Sequence, residues 1–186
     1  LPQIRAELSA KVDQLKAATT GVSSRIVEAR AVYDELDATY PESSLSTIQG
    51  NGSESMSRRD AAVGLLAQAE SKLSMDVQDW DGAESDIADA LKETAKANIL
   101  LNSIFKLKEN LALAQASASE QIGAAKSDIE QARAFVLGHD DDLPESYESD
   151  LEKAFSLLAL ADAERSKEKP DYLEIVRLAQ EANASA

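Results

Sequence analysis

The sequence predicts an all-α protein, built as two three-helix bundles in tandem that share one long continuous helix. Three observations carry that expectation. Apolar residues make up 44% of the chain but aromatics only 4%, a balance that suits thin helix–helix seams better than a thick globular centre. Gly and Pro number 7 and 4 in 186 residues, so punctuation is sparse and the elements are long. Finally, the chain repeats itself.

Ser24–Ser43 aligns with Ser127–Ser146 at an offset of 103 residues, with nine of twenty positions identical. The matches include Ala29-Arg30-Ala31 with Ala132-Arg133-Ala134 and Pro41-Glu42-Ser43 with Pro144-Glu145-Ser146. Downstream the offset becomes 92: Leu65-Leu66-Ala67 matches Leu157-Leu158-Ala159, Ala69 matches Ala161, and Asp79-Trp80 matches Asp171-Tyr172. The change of offset is an 11-residue insertion in the first copy, around Ser44–Glu54. Insertions are tolerated in loops, so flanking helices kept in phase are what a true repeat shows. Searching for such self-similarity precedes any choice of fold.

The first helix is expected over about 2–39. Leu8, Val12, Leu15, Thr19, Val22, Ile26, Ala29, Tyr33 and Leu36 recur at alternating spacings of four and three, a heptad seam. Pro2 fits the first turn, where its missing N–H costs nothing. A loop follows from Tyr40 to about Glu54, marked by Pro41, serines and Gly50-Asn51-Gly52, with room for one helical turn within Ser44–Gln49. The second helix is expected over about 57–76, burying Ala62, Leu65, Leu66, Ala69 and Leu73, with Ser57 and Asp60 as a weak capping box. Asp79 is a good N-cap for a third helix with no convincing breaker before Gly138. Ile104, Leu111, Ala118, Ile122, Ala125, Ile129, Ala132 and Val136 continue a seam along it. Gly123 inside it costs about 1 kcal/mol, and an unbroken helix of this length spans roughly 85 to 90 Å. Gly138 is a favoured left-handed C-cap. Further helices are expected over about 144–167 and 171–185, the latter opened by a capping box at Asp171 and Glu174. The units are therefore 1–97, with helices at about 2–39, 57–76 and 79–97, and 98–186, with helices at about 98–138, 144–167 and 171–185. Trp80 and Tyr172 are expected to pack at equivalent bundle ends. Asp79-Trp80-Asp81-Gly82-Ala83 also resembles a tetratricopeptide helix start, but the 34-residue period of that solenoid is missing.

Charge narrows the partners. The chain carries 19 Lys and Arg against 34 Asp and Glu, a formal charge of −15. Such a surface repels phosphate backbones and anionic headgroups, so neither nucleic acid nor a membrane surface is expected as a partner, and charge-guided partners should be basic. With no Cys, disulfides and thiolate metal sites are excluded. No apolar run approaches the roughly 18 residues of a membrane span, and no signal peptide opens the chain. It begins at Leu1 without Met and ends at Ala186, and so reads as a soluble fragment of a longer protein.

Catalytic residues are not evident. His139 is the single histidine, which rules out His-based triads and multi-His metal sites. The run His139, Asp140, Asp141 and Asp142 is a candidate cation loop, although it lacks the alternating ligands and closing Glu of a calcium loop. Gly50-Asn51-Gly52 is no phosphate loop, because no Gly-Lys-Ser/Thr follows and no strand precedes it. Asn51-Gly52-Ser53 and Asn183-Ala184-Ser185 match the glycosylation sequon, a short pattern with a high chance rate. The Glu-x-x-His motif of carboxylate metal bundles is missing. No cofactor and no small-molecule substrate are expected.

Several motifs together carry a family resemblance: Tyr40-Pro41-Glu42-Ser43, Gly50-Asn51-Gly52-Ser53, Leu65-Leu66-Ala67-Gln68-Ala69, Asp79-Trp80, Lys169-Pro170-Asp171-Tyr172-Leu173, and Ala132-Arg133-Ala134-Phe135-Val136 before His139-Asp140-Asp141-Asp142. Over nearly the whole chain they resemble the helical, coiled-coil-like region that follows the membrane segment of bacterial TPM-domain membrane proteins. The resemblance implies a membrane-anchored parent whose helical part faces the cytoplasm. The TPM domain itself, with its phosphatase-like activity, is not in this chain, so no catalytic residue is carried over. The architecture is similar to tandem spectrin-like repeats. The function expected is a non-enzymatic scaffold, spacer or protein-interaction module whose partners are proteins, a second copy included. The alternative is a ligand- or cation-sensing bundle using the loop at 139–142.

Overall fold

The structure is a computed structural model and describes residues 2–139 and 144–186. Among these residues every regular element is helical and no strand occurs. Helix α1 spans Pro2–Thr39, α2 Glu42–Leu45, a 3₁₀ turn Ser46–Ile48, α3 Asn51–Lys72, α4 Trp80–Gly138, α5 Glu145–Arg165 and α6 Tyr172–Ser185. The long helix expected from the sparse punctuation is α4, unbroken over 59 residues. The chain packs as two compact units, Leu1–Glu35 with Thr47–Leu107, and Leu36–Ser46 with Lys108–Ala186.

In the first unit, one seam draws on three helices. Leu8 and Val12 of α1 meet Ala62, Leu66 and Ala69 of α3, Leu73 at its C-cap, and Ala83, Ile87 and Ala90 of α4. Leu15, Leu65 and Trp80 pack against this cluster and are partly buried. In the second unit the same arrangement recurs: Ala118, Ile122, Ala125 and Ile129 of α4, Ala154, Leu158 and Ala161 of α5, and Ile175, Leu178, Ala179 and Ala182 of α6 form one cluster. Four of the positions paired by the repeat are buried in both units. Ala62 and Ala154, Leu66 and Leu158, Ala69 and Ala161, and Ala90 and Ala182 are all core residues. The alanines among these positions let the helix axes approach closely, so the seam stays narrow.

The helix ends follow from local chemistry. Asp79 caps α4: its Oδ1 accepts the Gly82 N–H at 3.0 Å, and its carbonyl accepts the Ala83 N–H at 3.0 Å. A Cβ at position 82 would meet the Asp79 carboxylate as it now lies. The turn before it is tight. Gln78 adopts a left-handed conformation at φ 51°, and the Asp79 N–H reaches back to the Lys72 carbonyl at 3.0 Å. At α6, Asp171 Oδ1 accepts the Glu174 N–H at 3.2 Å, one half of the expected capping box. The reciprocal half is different from expectation. Glu164 Oε1, not Glu174, takes the Asp171 N–H at 3.1 Å, because Arg177 holds the Glu174 carboxylate at 2.6 and 2.7 Å.

One expected boundary moves. The second long helix begins at Asn51 rather than near Ser57. Gly50 supplies the left-handed residue (φ 82°) that turns the chain into it, and Gly52 sits harmlessly in its first turn. The Ser53 and Ser55 hydroxyls return hydrogen bonds to the Gly50 and Gly52 carbonyls, each at 2.9 Å. The expected Ser57–Asp60 cap is therefore an interior stretch of α3, with Ser57 bonded to the Ser53 carbonyl. The remaining loop is short and helical: Leu45 and Ile48 are 2% exposed, so it contributes core as well as connection.

Candidate functional site

The sequence singled out His139, Asp140, Asp141 and Asp142. Asp140, Asp141 and Asp142 lie outside the described residues. His139 is exposed at the end of α4. Its Nδ1 lies 2.9 Å from the Phe135 carbonyl, and its ring stacks on Phe135 with centroids 4.4 Å apart. Both contacts are within the last helical turn, where an imidazole satisfies an otherwise orphaned carbonyl. Among the described residues no group of three or more His, Cys, Asp or Glu side chains is arranged to hold a metal ion. No helix among them is long and apolar enough to cross a membrane.

The first unit concentrates its polar side chains between helices. Arg25 on α1 reaches across to α4, donating to Asn98 Oδ1 and, at 2.5 Å, to Asn102 Oδ1, while its guanidinium lies 5.6 Å from the centre of the Phe105 ring. Arg58 on α3 pairs with Glu93 of α4 at 3.0 Å and with Glu54 one turn back at 2.6 Å. Lys96, at 2.7 Å, and Arg58 hold the Glu93 carboxylate below its usual range, and Glu93 with Glu54 raises Arg58. Arg59 donates to Ser23 Oγ at 2.7 Å, and Lys72 lies 2.7 Å from Asp86. These groups hold three helices in register. Asn51 of the first sequon donates toward the Leu100 carbonyl at 3.4 Å, so its amide also serves packing.

In the second unit the Pro41-Glu42-Ser43 turn takes part in the same kind of contact. Ser43 Oγ donates to Asp171 at 2.8 Å, Lys169 Nζ to the Asp37 carbonyl at 2.7 Å, and Tyr40 OH to Gln115 at 3.0 Å. Tyr40 meets Tyr172 edge-on, centroids 6.3 Å apart. Tyr172 is thus a packing residue, as is the half-buried Trp80 in the first unit.

The concave surfaces are open grooves between helices. One of about 910 Å³ is in the second unit among α4, α5 and the last residues of α6, and is lined by Asp128, Ala132, Phe135, Tyr147, Asp150 and Leu151 among others. It includes Asn183, Ala184 and Ser185 of the second sequon. Grooves of about 540 and 410 Å³ in the first unit run beside Leu15 and Ile87, and beside Tyr33, Met56 and Ile104. The apolar walls of the large groove include Phe135, 54% exposed, and Tyr147, 51% exposed. Sequence reasoning passed over this groove: Ala132 and Val136 continue the α4 seam in spacing but are half-exposed.

Comparison with protein-family models, with curated proteins and with solved structures yields no match to this chain.

Proposed function

We propose that this chain is a non-enzymatic helical scaffold and protein-interaction module, made of two spectrin-like three-helix units in tandem that share α4. It would hold partners at a distance and offer them the helix faces that the units leave unburied. The observation that carries this is the repeat: the same positions of both copies are buried between three helices, and α4 supplies a helix to each. An architecture whose helices spend their polar side chains on neighbouring helices has a mechanical use and no evident chemical one. On the strength of the sequence motifs alone, we assign it to a membrane-anchored bacterial parent of the TPM-domain kind, on the cytoplasmic side.

Small-angle scattering with in-line light scattering tests the proposal on the purified chain. A monomer with a radius of gyration well beyond the roughly 16 Å of a compact 186-residue domain is the expected result. A value near 16 Å would mean that the chain closes on itself as one bundle, and the spacer role would fall.

A further inference from the structure

In the first unit one side of α4 is apolar yet open to solvent. Ala88, Leu91, Ala95 and Ile99 recur at spacings of three and four, which sets them on one side of the helix. All four are exposed, Leu91 by 56% and Ile99 by 63%. Ala88 and Leu91 also wall the groove of about 540 Å³ that α4 shares with Leu15 and Ala18 of α1. Charged residues close this face at both ends, Glu84 before it and Lys106 after it, and both are exposed.

The order of these residues is complementary to its own reverse. Turned about Ala95, position 91 falls on 99, 88 on 102 and 84 on 106. An antiparallel second copy of α4 therefore sets Leu91 against Ile99, Ala88 against Asn102 and Glu84 against Lys106. Each pairing occurs twice, because the two-fold axis passes through Ala95. Alanines at 88 and 95 let the two helices approach closely. A parallel copy in register would set Glu84 on Glu84 and Lys106 on Lys106, and like charges facing each other disfavour it. Lys92 and Lys96 flank the face and are each paired within α4, with Asp89 at 2.8 Å and with Glu93 at 2.7 Å. Asp81 falls opposite Glu109, an unfavourable match, at the end where Lys11 of α1 lines the groove beside Glu84.

We propose that this face is a self-association surface, on which α4 of a second copy docks antiparallel with Ala95 at the two-fold axis. The formal charge of −15 opposes the encounter. The pairing is therefore weak, with a Kd on the order of 100 µM, and the dilute chain stays monomeric. The inference rests on the interaction-module reading and adds to it a partner and a surface.

Sedimentation equilibrium on the intact chain, from about 10 µM to 1 mM, tests it. A monomer–dimer equilibrium is the expected result, and Leu91→Glu should weaken it about tenfold. Glu84→Lys and Lys106→Glu should each weaken it at least about fivefold, and the two together should restore it to within about twofold. The single variants change the net charge in opposite directions, so weakening by both reports the local pairing and not the overall charge. All three positions are exposed, so these variants keep the core.

The chain has no Cys, which allows a second reading. Two copies of residue 95 meet at the axis, so a short bismaleimide should cross-link Ala95→Cys chains at least about fivefold faster than Val63→Cys chains. Val63 lies on α3 and is 47% exposed. Absence of a dimer up to about 1 mM, a dimer indifferent to Leu91→Glu, charge variants that the double change does not restore, or equal cross-linking at both cysteines would each overturn the proposal. An elongated scattering profile without self-association removes the pairing and leaves the module. A compact profile removes the module itself.

Discussion

Leu66→Ala is expected to destabilise the first unit by about 3 kcal/mol, within a range of about 2 to 5. Leu66 is 0% exposed and packs among Leu8, Val12, Ala69, Ile87 and Ala90 on three helices. Half of the other buried residues in its cluster are alanines, whose short side chains cannot swing in to fill the space. The change therefore combines the lost transfer of the isobutyl group with a residual cavity. Against a typical total stability of about 5–15 kcal/mol, that is a large fraction. Val63→Ala is the control, since Val63 on the same helix is 47% exposed and should change stability by less than about 0.5 kcal/mol. Urea denaturation followed by far-UV circular dichroism measures both.

The second large effect belongs to the backbone of α4. Leu113→Pro removes one intrahelical N–H and drives the proline ring against the carbonyl of residue 109, at a cost of about 3 kcal/mol or more. Leu113 is 67% exposed, so its side chain contributes little packing and Leu113→Ala should be nearly neutral. Comparing the two variants isolates helix continuity from side-chain loss. Leu113→Pro should lower both the urea midpoint and the ellipticity at 222 nm. Equal stability of the proline and alanine variants would mean that α4 is already interrupted near this point.

Much of the fold was legible because narrow helical seams write themselves into spacing. Of the positions named for α1, Leu8, Val12, Thr19, Val22, Ala29 and Leu36 are buried, and Leu15, Ile26 and Tyr33 are half-buried. The four residues Ala62, Leu66, Ala69 and Leu73 of α3 came out of the same arithmetic. The start of α3 was not legible. Gly50-Asn51-Gly52 reads as a loop by composition, whereas a single left-handed residue at Gly50 suffices to begin the helix. The inter-helix polar contacts were equally hidden. Arg25 and its partners Asn98 and Asn102 are separated by 73 and 77 residues, and no periodicity links them. The acidic run Asp140–Asp142 lies outside the described residues.

The central claim is that α4 is one continuous helix common to both units, and the chain's lack of Cys makes it directly measurable. Nitroxide labels at Leu91→Cys and Leu113→Cys, both at exposed positions, flank the division at Leu107 and Lys108. A continuous helix places these backbone positions about 33 Å apart, and pulsed dipolar spectroscopy should return a single narrow distribution near that value. A broad distribution, or one centred well below about 33 Å, would show a kink or break in α4 and contradict the shared-helix architecture.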